Sequence, residues 1–168
     1  MTENEKMKLV LDLAEKALEI GELPIAAIVF HGDEIISSAY TSEKSDGRFL
    51  VHAELNALHD ADKKMLPFEV RRELELYTNL EPCMMCFGAA MASFAGGVYY
   101  SLGAPDGAVD YAQKLVKENP YDKISTFYMP NVVGGIMIEE SKTLWRKYIT
   151  QFPDAPLRDY AQTLIGAQ

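Results

Sequence analysis

Apolar residues recur along the chain with two different periods, and the switches between them mark its elements. Over residues 3–20, Leu9, Leu13, Ala17 and Ile20, with Val10, Ala14 and Leu18 beside them, follow the 3.6-residue period of an amphipathic helix. Gly21 supplies a stop and Pro24 stands just beyond it. The apolar run 24–30 reads as a buried strand, His31-Gly32-Asp33 as a turn, and 34–40 as the returning arm of a hairpin. A polar loop over 41–47 follows. Leu55 and Leu58, with Ala53, Ala57 and Ala61, restore the helical period over 52–64. Residues 73–77 alternate as a strand does, with Leu74 and Leu76 on one face. Residues 83–94 are rich in alanine and methionine, as in a buried helix, and 98–102 form another strand. Helical patterns return over 108–117 and 139–152. A short strand is expected within 124–133, where Pro130 obscures its limits. The tail 153–168 carries one more helical pattern around 157–164. This order predicts an α/β protein in three layers, α/β/α, as a single domain spanning 1–168.

Composition narrows the functions open to such a fold. The formal net charge is −9, from 25 acidic and 16 basic residues. A protein that grips a long nucleic acid needs a basic footprint. Here the only basic doublets are Lys63-Lys64, Arg71-Arg72 and Arg146-Lys147, which read as solvated surface. The opening Met1-Thr2-Glu3-Asn4-Glu5-Lys6 is unlike a signal peptide, and the run 24–30 is far short of the ~20 residues that span a bilayer. The expectation is a soluble cytoplasmic protein without a membrane partner. The chain has only two cysteines, too few for a disulfide framework, and their CxxC spacing points to metal or redox chemistry in a reducing compartment.

Those cysteines belong to a larger constellation. His52-Ala53-Glu54 opens one expected helix, and Pro82-Cys83-Met84-Met85-Cys86 opens another. Helix N-termini present free N–H groups and partial positive charge, which suit thiolates. Cys83 and Cys86, three apart, share one face of a first turn. Pro82 suits a helix start because it lacks an N–H. His52, Cys83 and Cys86 together offer one imidazole and two thiolates, a donor set that neutralises Zn²⁺ and leaves one tetrahedral position for water. Glu54 is then the discriminating residue: a structural zinc has no use for a free carboxylate, whereas a hydrolytic one needs a group to move protons. His59 lies two turns along the helix from His52, too far to share its metal, and His31 sits in the hairpin turn. A thioredoxin-like redox pair is the competing reading of CxxC taken alone.

HxE followed by PCxxC resembles the cytidine deaminase-like superfamily of zinc-dependent deaminases. The resemblance extends to Glu22-Leu23-Pro24-Ile25-Ala26-Ala27-Ile28-Val29, to Leu76-Tyr77-Thr78-Asn79-Leu80-Glu81 and to Gly88-Ala89. Within it the chain is similar to bacterial tRNA adenosine deaminases, guanine deaminases and fungal-type cytosine deaminases. It implies a five-stranded mixed sheet, zinc as cofactor, a homodimer, and hydrolytic exchange of an exocyclic amine for a carbonyl oxygen. It also implies that Glu54 is catalytic and that backbone near Ala53 and Glu81 meets the substrate.

One departure bears on the substrate. Many relatives carry asparagine eleven residues before the motif histidine; here that position is Thr41. Asp106, with Asp110 close by, lies in the loop after the fourth strand, which faces the pocket in relatives. Phe87, Phe94, Phe127, Tyr128 and Trp145 include candidates to stack on a ring. The tail 153–168 is not basic, unlike that of the tRNA enzymes; it is expected to close over the site as in free-base deaminases and to offer Asp159. A small nucleobase or nucleoside is therefore the expected substrate. Adenosine in tRNA is the alternative, and an inactive zinc-stabilised binding protein is the reading from another class.

Overall fold

The computed structural model describes residues 1–118 and 126–166. Helix α1 (Glu3–Glu19) leads into the hairpin β1 (Ala26–His31) and β2 (Glu34–Tyr40). A single turn, α2 (Glu43–Asp46), and the helix α3 (Ala53–Asp62) follow. Another single turn, α4 (Phe68–Arg71), precedes β3 (Leu74–Leu80), α5 (Met84–Ala92) and β4 (Gly97–Leu102). The chain closes with α6 (Val109–Glu118), β5 (Asn131–Val133), α7 (Ile138–Gln151) and α8 (Arg158–Gly166). The strand expected within 124–133 is β5, which starts only after Pro130; residues 124 and 125 lie outside the described residues.

The five strands form one mixed sheet in the order β2-β1-β3-β4-β5. β1 is antiparallel to both β2 and β3, whereas β3, β4 and β5 run parallel. Register between β1 and β2 shifts after Val29, which pairs with Ser37 while Phe30 pairs with Ile35, so Ile36 forms a bulge.

Both faces of the sheet are covered, which explains why β1 lacks polar alternation. Ala27 and Val29 pack with Leu74 and Leu76 against Ala53, Ala57 and Leu58 of α3 and Phe87 and Ala90 of α5. Ala26, Ile28 and Phe30 pack on the other side with Tyr77 against Met7, Val10, Leu11 and Ala14 of α1 and Leu144 of α7. The three-layer α/β/α architecture thus follows from period-2 strands meeting helices on each side. A third cluster ties α8 to α7 through Ala161, Leu164, Trp145 and Tyr148, and reaches Leu80 and Leu102 at the strand ends. Among the described residues no helix is long and apolar enough to cross a membrane.

Candidate active site and metal centre

β3 delivers Glu81-Pro82-Cys83 at its carboxyl end, beside the end of its parallel neighbour β4, where Leu80 pairs with Leu102. Open α/β sheets place their sites at such ends. Both motif segments converge there because each opens a helix. His52 is the N-cap of α3 and Cys83 the N-cap of α5. The helix after Pro82 starts one residue later than the motif suggests. Pro82 precedes the cap, and its carbonyl accepts the Ala108 N–H at 3.0 Å.

The donor atoms of His52, Cys83 and Cys86 all lie within 4.8 Å of one another. His52 Nδ1 is 3.7 Å from Cys83 Sγ and 3.6 Å from Cys86 Sγ. A tetrahedral zinc, with Zn–N about 2.05 Å and Zn–S about 2.3 Å, requires an N···S edge of about 3.6 Å. The three residues therefore fit zinc in distance as well as in charge. Glu54, one position into α3, is only 4 % exposed. His31 is engaged elsewhere, 2.8 Å from Glu73, and His59 is exposed on α3.

Proton affinities in the cluster are strongly perturbed. Cys83 is lowered to about 3, chiefly by a hydrogen bond from the Cys86 thiol and then by one from His52. Cys86 is pushed up because it donates that bond and is buried. Hydrogen bonding to Cys83 raises His52 to about 9. Zinc binding at this site displaces the protons that His52 and Cys86 hold. Burial raises Glu54 to about 7, near the working range of a general acid–base, and a bound dication opposes that rise.

A cavity of about 230 Å³ opens onto these residues. Drug-sized ligands occupy ~300–1,000 Å³, so this space suits one small ring system. Leu23, Ile25, Leu80 and Leu157 give it apolar walls. Thr41, Ala53, Glu81 and Asp106, the candidate substrate contacts of the sequence, all line it. Thr41 is 3 % exposed, and its hydroxyl donates to the Val51 carbonyl at 3.3 Å, so towards a ligand it offers acceptor capacity. The Glu81 carboxylate is turned to the loop after β4, accepting the N–H of Ala104 at 3.2 Å and of Val109 at 3.3 Å. Gly107 is required in that loop because a Cβ there would lie 2.1 Å from the Glu81 carboxyl carbon. Glu81 thus fixes the loop that presents Asp106.

The tail does reach the cavity, but not through Asp159, which is exposed and outside its lining. Leu157 and Tyr160 line it instead, and the Tyr160 hydroxyl donates to Asp106 Oδ1 at 2.8 Å. Burial raises the Tyr160 phenol, which keeps it a donor. None of the five aromatic residues singled out above lines the cavity; Phe87 and Trp145 are core. Asp110 is exposed on α6. The residue that sequence reasoning missed is Glu43, which lines the cavity and sets its Oε1 3.1 Å from His52 Nε2.

The cytidine and deoxycytidylate deaminase zinc-binding region matches residues 1–102. The tRNA-specific adenosine deaminase of Bacillus subtilis is 32 % identical over 142 residues, covering 83 % of this chain and 84 % of that one. A solved structure from a study of A-to-I editing by tRNA:A34 deaminases superposes with a TM-score of 0.67 at 26 % identity, covering 82 % of this chain and 96 % of that one. The guanine deaminase of Nitrosomonas europaea superposes with a TM-score of 0.67 at 22 % identity, over 89 % and 85 % of the two chains, a likeness of fold alone.

Proposed function

Because the chain belongs to the cytidine and deoxycytidylate deaminase zinc-binding family, we propose that it hydrolyses an exocyclic amine of a small, uncharged amino-heterocycle, a free nucleobase or nucleoside. The observation that carries the reaction class is buried Glu54 beside the His52, Cys83 and Cys86 donor set, with Glu54, His52 and Cys83 lining the cavity. Zinc bound by these three residues supplies a Lewis acid that makes water nucleophilic near neutral pH. Glu54 takes the two protons of the attacking water in turn: the first, given up as the oxygen adds to the ring carbon, passes to the adjacent ring nitrogen, and the second, from the hydroxyl so formed, passes to the departing amine as the carbonyl closes. One water is consumed, one C–N bond breaks, one C–O bond forms and ammonia leaves. In this reading backbone at Ala53 and Glu81, the Thr41 hydroxyl and the Tyr160–Asp106 pair, all in the cavity lining, orient the ring, while Leu23, Ile25, Leu80 and Leu157 exclude water.

The electrostatics of the cavity support the small substrate. Glu43, Glu54, Glu81 and Asp106 line it, with no lysine or arginine among the described residues, in a chain of net charge −9. Asp106 is the exposed one of the four, and a phosphate backbone approaching the cavity gains no cation from its lining.

Adenosine in a tRNA is the second reading, and similarity supports it better than the first. The curated relative described above is a tRNA-specific adenosine deaminase, whereas the guanine deaminase is similar at a level that speaks for fold. One assay separates the two readings. Zinc-loaded protein is given adenine, guanine, cytosine, their nucleosides and an anticodon stem-loop with adenosine at the wobble position, and ammonia is measured. Release from a base or nucleoside is the expected result. Inosine formed only in the stem-loop would put the second reading first, and no release from any substrate would leave a zinc-stabilised binding protein.

We also infer a homodimer. Phe49, 87 % exposed, and Leu50, 63 % exposed, stand side by side in the loop before His52, and burial against a second copy would satisfy them. Light scattering on a Phe49→Asp, Leu50→Asp variant is expected to report a monomer.

A further inference from the structure

We propose that Glu43 is a positioning residue that fixes the His52 ring for metal binding, and that buried Glu22 holds Glu43 in place. The proposal rests on the zinc reading of the site and goes beyond its three ligands. His52 has two nitrogens with different tasks. Nδ1 faces Cys83 Sγ and Cys86 Sγ, while Nε2 points the opposite way to Glu43 Oε1 at 3.1 Å. A carboxylate on Nε2 keeps the proton there and leaves the Nδ1 lone pair free to ligate.

Glu43 reaches His52 only because α2 exists, and a single turn has little stability of its own. Its stability comes from outside. Glu22, 2 % exposed, follows α1 and is tied to it by its N–H on the Ala17 carbonyl at 3.0 Å. Its carboxylate accepts the N–H of Lys44 at 3.2 Å and of Ser45 at 2.6 Å, and the Ser45 hydroxyl as well. Those are N–H groups that the first turn of a helix leaves unpaired. Gly47, at φ 61°, closes the turn with its N–H on the Glu43 carbonyl. Hydrogen bonds therefore run from α1 through Glu22 to α2, and α2 sets the Glu43 carboxylate 3.1 Å from the imidazole as its ion-pair partner.

The test reads zinc affinity, by competition with a chromophoric chelator, and the His52 tautomer, by ¹⁵N NMR of the zinc-loaded protein. Glu43→Ala is expected to weaken zinc binding by about 10–100-fold and to broaden the tautomer signal. Glu43→Gln, which keeps an acceptor oxygen, is expected to recover most of the affinity. Glu22→Ala is expected to weaken binding in the unsubstituted background and to add little to Glu43→Ala. Circular dichroism confirms that each variant is folded. A folded Glu43→Ala with unchanged affinity and tautomer overturns the role of Glu43; an effect of Glu22→Ala that is undiminished without Glu43 overturns the link between them. Failure of the unsubstituted protein to bind zinc overturns the zinc reading itself, so the two failures are distinct.

Discussion

Glu54 is buried, and the cation nearest it in effect is His52, whose proton zinc displaces on binding. Burial pushes the proton affinity of Glu54 up to about 7 and a bound dication opposes that rise, two influences of opposite sign on a group that must both take a proton and return it. Glu54→Gln keeps the shape and removes the base. Turnover is expected to fall by ~10²–10⁴-fold while metal analysis still finds zinc, since Glu54 is not among the donors. A full-speed Glu54→Gln enzyme would refute the mechanism. Gly107 makes a different kind of prediction. Adding a methyl group forces it against the Glu81 carboxylate, so Gly107→Ala is expected to cost ~1–3 kcal/mol in urea unfolding. The cost is expected to shrink in a Glu81→Ala background, because the two residues share one contact. The motif residues were legible because the chain writes them close together at helix starts. Glu43 was not, because its partner His52 is met through a turn that another element stabilises. Asp159 misled because a weakly patterned tail does not reveal helical register; its neighbour Tyr160 is the one turned inward.

The long periodic elements were legible and the single turns were not, and the division has a physical cause. α2 and α4 span four residues each, too short for any period to repeat. β3 runs three residues past its expected end because Thr78 and Asn79 are polar yet fully buried. Asn79 accepts the Ala26 N–H at 2.8 Å and donates to the Pro24 carbonyl at 2.8 Å, extending the sheet with side-chain bonds that a hydropathy pattern does not show. α1, by contrast, announces its own start. Thr2 Oγ1 accepts the Glu5 N–H at 3.2 Å while Glu5 Oε2 accepts the Thr2 N–H at 2.7 Å, a complete capping box. Thr2→Ala is expected to lower stability by ~1 kcal/mol in urea unfolding. The Thr2 N–H also holds the Glu5 carboxyl below its ordinary value of 4.5. A depressed carboxylate contributes stability that is fully present above the unfolded value and is lost as pH falls through the folded one. Glu5→Gln is therefore expected to flatten part of the acid limb of the stability curve below about pH 4.5 and to leave the neutral region nearly unchanged. An unaltered acid limb would show that the box contributes through neutral hydrogen bonds alone.

At the scale of the whole molecule, charge and the closing tail bear on the same question, which substrate reaches the zinc site. α8 is held to α7 by buried Ala161 and Leu164, and Tyr160 meets Trp145 edge-on at 6.2 Å between ring centroids. That anchoring keeps Leu157 and Tyr160 over a cavity already lined by carboxylates. A nucleic-acid substrate must bring phosphates to this rim, and its binding would then depend on counterion release from whatever cations the surface offers. A small neutral ring brings none. With the substrate that the protein turns over fastest, kcat/KM is expected to stay flat between about 50 and about 200 mM salt. A tRNA held by several phosphate contacts would lose orders of magnitude over that range, about 10³–10⁵ for six to ten of them. The slope of log kcat/KM against log salt therefore reads the substrate class directly. A flat line keeps the small heterocycle first, and a steep negative one establishes a phosphate-dependent substrate on a protein whose overall charge opposes it.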